Sequence, residues 1–215
     1  MLQKMRPLLS FLRWVRFLDR IQYLKGLAHK KHTDAAIDLV DVNAHKNIHV
    51  VIDQSENEYM WVHPDIVDFW KAMHKECKAR RIPIRAFEFL RTRERQDELH
   101  AQGRSNARAG QSPHQYGLAV DIISATKAWD LSKKQWDVIG SIGKEIARKR
   151  NLKIDWGGDW DPKKSIWDPA HWQIADWRKY RTAYNHCVQN GIKIPEETKL
   201  RFAFLENVYE ARRNV

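Results

Sequence analysis

The sequence predicts an α+β fold, a small and mainly antiparallel sheet flanked by helices. Apolar residues recur at helical spacing over residues 64–80, 132–149 and 176–191. Short runs such as Ile82–Leu90 and Lys153–Trp156 read instead as strands. Turn signals, including the pair Gly157-Gly158, separate these pieces. Helices on a small sheet of this kind make an α+β domain. A chain of 215 residues can bury one real core, so one domain with appendages is the default. The expected division is a basic segment over 1–55, a central unit over 56–178 and C-terminal helices over 179–215.

Residues 6–25 read as a basic amphipathic helix. Leu8, Phe11, Leu12, Val15 and Leu18 keep helical spacing, and Arg6, Arg13, Arg16 and Arg20 lie mostly elsewhere. Most such helices dock on their own domain; the functional alternative is an anionic envelope or membrane surface. Residues 26–46 are polar and basic. His29 and His32 there are expected to be solvated rather than metal-bound. Residues 47–53 look like a short strand.

Pro64 suits the first turn of a helix. Ile66, Val67, Trp70, Met73 and Cys77 carry its apolar stripe to about Arg80. The strand Ile82–Leu90 ends at Arg91. Thr92 caps a helix running from Arg93 to Gly103. A loop from Arg104 to Pro113 leads to the next strand. Ser132 and Gln135 form a capping box for a helix that turns Trp136, Ile139, Ile142 and Ile146 inward. Ala170–Ala175 is a strand, Asp176 caps a helix ended by Gly191, and Pro195 opens a last helix through Arg213.

Composition narrows the partners. There are 38 Lys and Arg against 27 acids, a formal net charge of +11, which favours anionic polymers or surfaces. The positive charge is spread along the chain and no nucleic-acid motif occurs, so nucleic acid is not expected. Ten tryptophans are many for this length, and Trp156, Trp160, Trp167 and Trp172 crowd one region. They suit core packing and a stacking wall for a sugar-peptide ligand. Two distant cysteines, Cys77 and Cys187, fit reduced thiols. Arg13, Arg16, Asp19 and Arg20 interrupt any signal-like apolar run. The expectation is synthesis in the cytoplasm and action after release by another route.

The chemistry concentrates in Ser112–Ile122. His114 and Asp121 are seven positions apart, which fits a loop dropping into a strand and not one face of a helix. A carboxylate on a buried strand face needs a partner, and a cation shared with His114 is one. In Trp167–Trp172, His171 is the third ligand candidate, and Asp168 stands three positions earlier. Three protein ligands with an open position, plus a nearby acid, equip a chain for metal-assisted hydrolysis. Zinc is the first choice because His and carboxylate suit it, and other divalent ions stay open. Asp168, ionised at neutral pH, is the expected proton acceptor from water.

This pattern resembles the M15 zinc peptidases that cut bacterial peptidoglycan stems. The resemblance rests on His114-x6-Asp121, Asp168-x-x-His171, Ser112 and Gly117. It spans about residues 60–175. Trp156-Gly157-Gly158-Asp159-Trp160, and Glu88-Phe89-Leu90-Arg91-Thr92 followed by Gln96 and Gly103, favour the L-alanyl-D-glutamate endopeptidase branch, which includes phage endolysins. The chain departs at Phe89-Leu90, where the family more often has a small residue and then Tyr. The resemblance implies that Arg91 binds a substrate carbonyl or carboxylate and stabilises the oxyanion. Ser112 is expected to support the site by hydrogen bonding. Gln96 and Asp159 are open between substrate contact and a structural role. It also implies a stem-peptide substrate and, for an enzyme without a signal, exit through a phage-type membrane pore. The rival readings are a D-Ala-D-Ala carboxypeptidase or dipeptidase and a non-catalytic, zinc-stabilised wall-binding module. Asp168 argues against the latter, since a binding module needs no base.

Overall fold

Burying one face of each amphipathic stretch sets the architecture. A computed structural model describes residues 35–36, 38–40, 59–161, 163 and 167–215. The expected helix at 6–25, the His29 and His32 pair and the strand at 47–53 lie outside these residues. Helix α1 (Pro64–Ala79) starts on its proline, with His63 Nδ1 accepting the Asp65 N–H at 3.1 Å. Strand β1 (Ile84–Glu88) follows, then α2 (Arg93–Ala101), where Thr92 Oγ1 accepts the Arg95 N–H at 3.2 Å. A 3-10 turn (Pro113–Tyr116) leads into β2 (Ala119–Ser124). Helix α3 (Lys133–Arg150) has the expected capping box, with bonds of 2.9 and 3.3 Å between Ser132 and Gln135. Then come β3 (Ile154–Trp156), a second 3-10 turn (Gly157–Asp159), β4 (His171–Ile174), α4 (Trp177–Gln189) and α5 (Thr198–Arg213).

Two helix starts differ from expectation. Asp176 occupies the N-cap position of α4 but does not cap it; its carboxylate pairs with Lys179 Nζ at 2.8 Å. Helix α5 begins at Thr198 and not at Pro195. Proline permits a first turn without compelling one. Here the chain is tied further along, where the Thr198 hydroxyl donates to the Met60 carbonyl.

The sheet has the order β1-β2-β4-β3, and every pairing is antiparallel. The register puts Ala86 opposite Ile122, Val120 opposite Trp172 and Trp156 opposite Trp172. That face is covered by α1 and α3, and Phe69 of α1 meets Trp172 at 4.8 Å between ring centroids. The opposite face carries Asp121 opposite His171. Helices α4 and α5 join the same core through Ala183, Cys187, Phe202 and Leu205. Cys77 and Cys187 are buried free thiols, and burial pushes the Cys77 thiol up to about 12.

Helix α3 approaches the sheet over two glycines. A Cβ on Gly140 would lie 2.2 Å from the Trp156 ring, and one on Gly143 would lie 2.1 Å from the Trp172 ring. Trp172 is fully buried and stacked on Trp156, so its ring has no room to retreat. Gly143→Ala gains about 1 kcal/mol of helix propensity and meets an overpacking cost of about 1–3 kcal/mol. The expected result is a net loss of stability, read as a lower denaturant midpoint with unchanged slope. A raised midpoint would refute this packing account.

Candidate metal centre

Three donors meet at one point on the sheet face opposite α1 and α3. His114 sits on the 3-10 turn, which closes at Gly117 with φ of 71°. A side chain there would be strained by that backbone, and its Cβ would fall 2.0 Å from the Trp61 carbonyl oxygen. His114 Nδ1 lies 3.1 Å from the Phe89 carbonyl, which only accepts, so Nδ1 carries the proton and Nε2 offers a lone pair. His171 is fixed the other way round. Its Nε2 donates to Gln173 Oε1 at 3.0 Å, leaving Nδ1 as the inward lone pair.

Asp121 Oδ1 completes the triangle. It stands 3.2 Å from His114 Nε2 and 3.1 Å from His171 Nδ1, and the two nitrogens are 3.1 Å apart. All three residues are buried, at 1%, 8% and 5% exposure in the order His114, Asp121, His171. Two lone pairs and a carboxylate oxygen aimed at one point repel unless a cation lies between them. Tetrahedral bonds of about 2.0–2.1 Å put ligand atoms about 3.3 Å apart. The donor set therefore fits a small divalent cation with little adjustment.

Electrostatics follow from this crowding. Without a cation, imidazole protons take its place: burial pushes the Asp121 carboxyl up, but the His114 charge and hydrogen bonds from both imidazoles hold it well below the usual carboxylate range. Burial pushes His171 down, and the Asp121 hydrogen bond and charge outweigh it, so its pKa is raised. Asp168 lies in the turn before β4. Its main-chain carbonyl accepts the His171 N–H at 3.2 Å, and its own N–H donates to the Gly157 carbonyl at 3.4 Å. Burial, then the Asp121 charge, push the Asp168 carboxyl up, against the pull of His171 and His114. It is thus a fourth ionisable group within electrostatic reach of the three donors. The fit of Gly157 is tight, since a Cβ there would lie 2.2 Å from the Asp168 carbonyl oxygen.

A peptidase M15 family model described as D-alanyl-D-alanine carboxypeptidase matches residues 105–174, which hold His114, Asp121, Asp168 and His171. This segment is similar to the M15 peptidase family. The chain is 31% identical over 117 residues to the peptidoglycan L-alanyl-D-glutamate endopeptidase CwlK of Bacillus subtilis. That match covers 46% of this chain and 66% of the relative, just under two thirds of its length. Among solved structures, the L-Ala D-Glu endopeptidase ChiX of Serratia marcescens is similar at 27% identity and a TM-score of 0.48, over 60% of this chain and 91% of that one. The LD-carboxypeptidase LdcB is similar at 21% identity and a TM-score of 0.39, over 69% and 68%.

Residues upstream of the matched segment brace the three donors. β1 carries a bulge: Ala86 pairs with Ile122, and the next partner, Asp121, is taken by Glu88. Phe87 is the extra residue, and the bulge leaves Glu88 on the face of the three donors. Glu88 Oε2 accepts from Arg91 Nε at 2.7 Å and also from Nη2. Arg91 Nη2 reaches Asp121 Oδ2 at 3.1 Å, and Nη1 donates to Gln96 Oε1 at 3.1 Å. Gln96 is fully buried, and its Nε2 donates to Ser105 Oγ at 2.9 Å and to the Ala107 carbonyl at 2.6 Å. Gln96 is thereby committed to holding Arg91 and the 105–107 loop; no part of its amide faces outward for a substrate. Of the two roles left open for Gln96, these contacts describe the structural one.

The other expected site residues are spread more widely. Ser112 is buried at the N-cap of the His114 turn. Asp159 is exposed, and its carboxylate meets Lys144 Nζ at 2.9 and 3.0 Å, so it stands at the surface and away from the donors' contacts. Trp160 tilts over the His171 ring at 5.2 Å. Sequence reasoning quoted Glu88 without a role and passed over Gln173; the signal for Glu88 is its spacing of three from Arg91. Loss of a group that orients a metal ligand typically costs about 10–100-fold in metal affinity or activity. Glu88→Ala is expected to weaken metal binding by that range, measured by competition with a chelating dye. Unchanged affinity would make the Glu88–Arg91 pair incidental to the centre.

Proposed function

We propose that this protein is a zinc peptidase that hydrolyses the peptidoglycan stem between L-alanine and D-glutamate, as a phage- or prophage-type lytic enzyme. The observation that carries the reading is the His114–Asp121–His171 triangle with Asp168 beside it, inside an M15 segment. The choice of bond is supported by the 31% identity to an enzyme named for that bond. The Trp156–Trp160 segment supports it as well.

His114 Nε2, Asp121 Oδ1 and His171 Nδ1 would hold the zinc. Bound there, zinc supplies Lewis acidity that polarises a carbonyl and makes water acidic. Asp168 takes the proton from water on a carboxylate oxygen and hands it to the leaving amine. Arg91 keeps Asp121 aimed through Oδ2. Its guanidinium also adds positive charge beside the place where the carbonyl oxygen becomes negative. The basic surface suits an anionic cell wall as the place of action.

Digestion of purified sacculi tests the reading. Mass spectrometry should find new amino termini on D-glutamate. Release of free D-alanine without those termini would move the protein to carboxypeptidase chemistry. A zinc-loaded protein that alters no wall peptide would leave only a binding module.

A further inference from the structure

The bulge in β1 also builds something outside the metal centre. Phe87 is 36% exposed and Trp129, in the turn after β2, is 51% exposed. Their rings meet edge to face with centroids 4.6 Å apart. The Arg85 guanidinium lies 5.4 Å from the Phe87 centroid. Arg85 pairs with Ile123, and Phe87 follows it by two, so both side chains stand on the sheet face that carries Asp121. The result is an aromatic ledge with a cationic rim. It begins one strand spacing from Asp121, about 4.8 Å. Exposed apolar side chains that are contiguous, as these two rings are, mark a binding surface where scattered ones do not.

Direction on the sheet decides what the ledge meets. Asp168 stands at the β3 and β4 side, through its contacts to Gly157 and His171. The amine half of the substrate leaves where Asp168 delivers its proton. The acyl half must therefore extend the other way, across β2 toward the exposed edge of β1. In a stem peptide cut after L-alanine, the acyl half is one amino acid joined through a lactyl ether to an N-acetylated amino sugar. One residue spans at most about 3.3–3.6 Å. The lactyl bridge adds about one more such length, so the sugar ring comes down roughly 7 Å from the bond, beyond β2 and onto the ledge. A substrate cut near its D-alanine end would carry several residues between bond and sugar, and would overshoot it.

We infer that Phe87 and Trp129 form a subsite for the amino sugar attached to the stem peptide, so that the enzyme reads glycan and peptide together. This rests on the proposed L-Ala–D-Glu cleavage. The inference comes from the juxtaposition of an exposed aromatic pair with the metal face, on the side away from Asp168. The apolar face of a sugar ring packs on an aromatic ring, and Arg85 is placed to hydrogen-bond the acetamido carbonyl or ring hydroxyls.

The test compares two substrates on the zinc-loaded full chain: a muramyl peptide and the same peptide without the sugar. The measured quantity is the ratio of their kcat/KM values. The wild type should favour the muramyl peptide. In Trp129→Ala the ratio should fall by about fivefold, what one aromatic packing contact contributes. Trp129→Phe should restore most of it, a rescue that a folding defect would not allow. A wild-type ratio near one, or a Trp129→Ala ratio equal to wild type, would overturn the subsite. Failure of the cleavage reading looks different, since neither substrate would then yield a D-glutamate terminus. In that case binding is read directly. Quenching of tryptophan fluorescence by N-acetylmuramic acid, lost in Trp129→Ala, would still support the ledge, and its absence in the wild type would overturn it.

Discussion

His114→Ala is expected to lose bound metal and peptide hydrolysis together. The side chain supplies one of three donors, and its position is fixed at both ends of the residue. Phe89 accepts from Nδ1, and the His114 carbonyl accepts the Arg91 N–H at 3.3 Å. Nothing near it offers a replacement nitrogen: among the described residues, the one group of clustered metal-binding side chains is His114, Asp121 and His171. Two donors left in a site built for three bind a divalent ion weakly, and the geometry that opens one position to substrate is gone. Metal content of the purified, folded variant should be far below one equivalent, with hydrolysis at background. A variant that keeps a full equivalent of metal would show that the ion is held elsewhere.

Asp168→Asn should separate the two properties that His114→Ala removes at once. The amide keeps the shape of the side chain and removes only the ionisable oxygen. Its main-chain contacts to His171 and Gly157 do not involve the side chain, so the turn before β4 should persist. Metal should stay near one equivalent. Turnover should fall by about 10²–10⁴-fold, the usual contribution of general acid–base catalysis. Full activity in the variant would remove Asp168 from the mechanism. Loss of the metal would make it a ligand, and the proton acceptor would have to be another group.

Most of the architecture was legible because it rests on local chemistry. Pro64, Thr92 and the Ser132–Gln135 box start their helices where expected, since caps and first-turn prolines act within a few residues. The three clustered donors stand out by order and spacing. Strand alternation by itself puts Asp121 and Ile123 on the face opposite Val120 and Ile122, and the register agrees. What escaped is what depends on pairing between distant segments. Ile84-Arg85-Ala86-Phe87-Glu88 alternates normally, and nothing in it announces a bulge. Without the bulge, Glu88 has no visible tie to Asp121, and Arg91 reads as a free substrate contact. The structure shows it bonded to Glu88, Asp121 and Gln96 at once. Gln96 stayed open between two roles because a polar residue on a polar helix gives no sign of burial, yet it is the one that α2 buries. Pro195 misled for the opposite reason: a local preference was overruled by a distant contact at Thr198.

The extra residue in β1 makes this strand unusually intolerant of changes in length. Removing one residue between Ala86 and Glu88 would let β1 pair with β2 without interruption, and backbone hydrogen bonding would improve. The same deletion would place a single side chain opposite Asp121 where there are now two. Either the anchor of Arg91 or the outward ring would be gone. A homologous chain shortened by one residue here could fold well and still lose wall recognition or metal affinity. Loss of function by deletion at this point would then leave no trace in a melting curve.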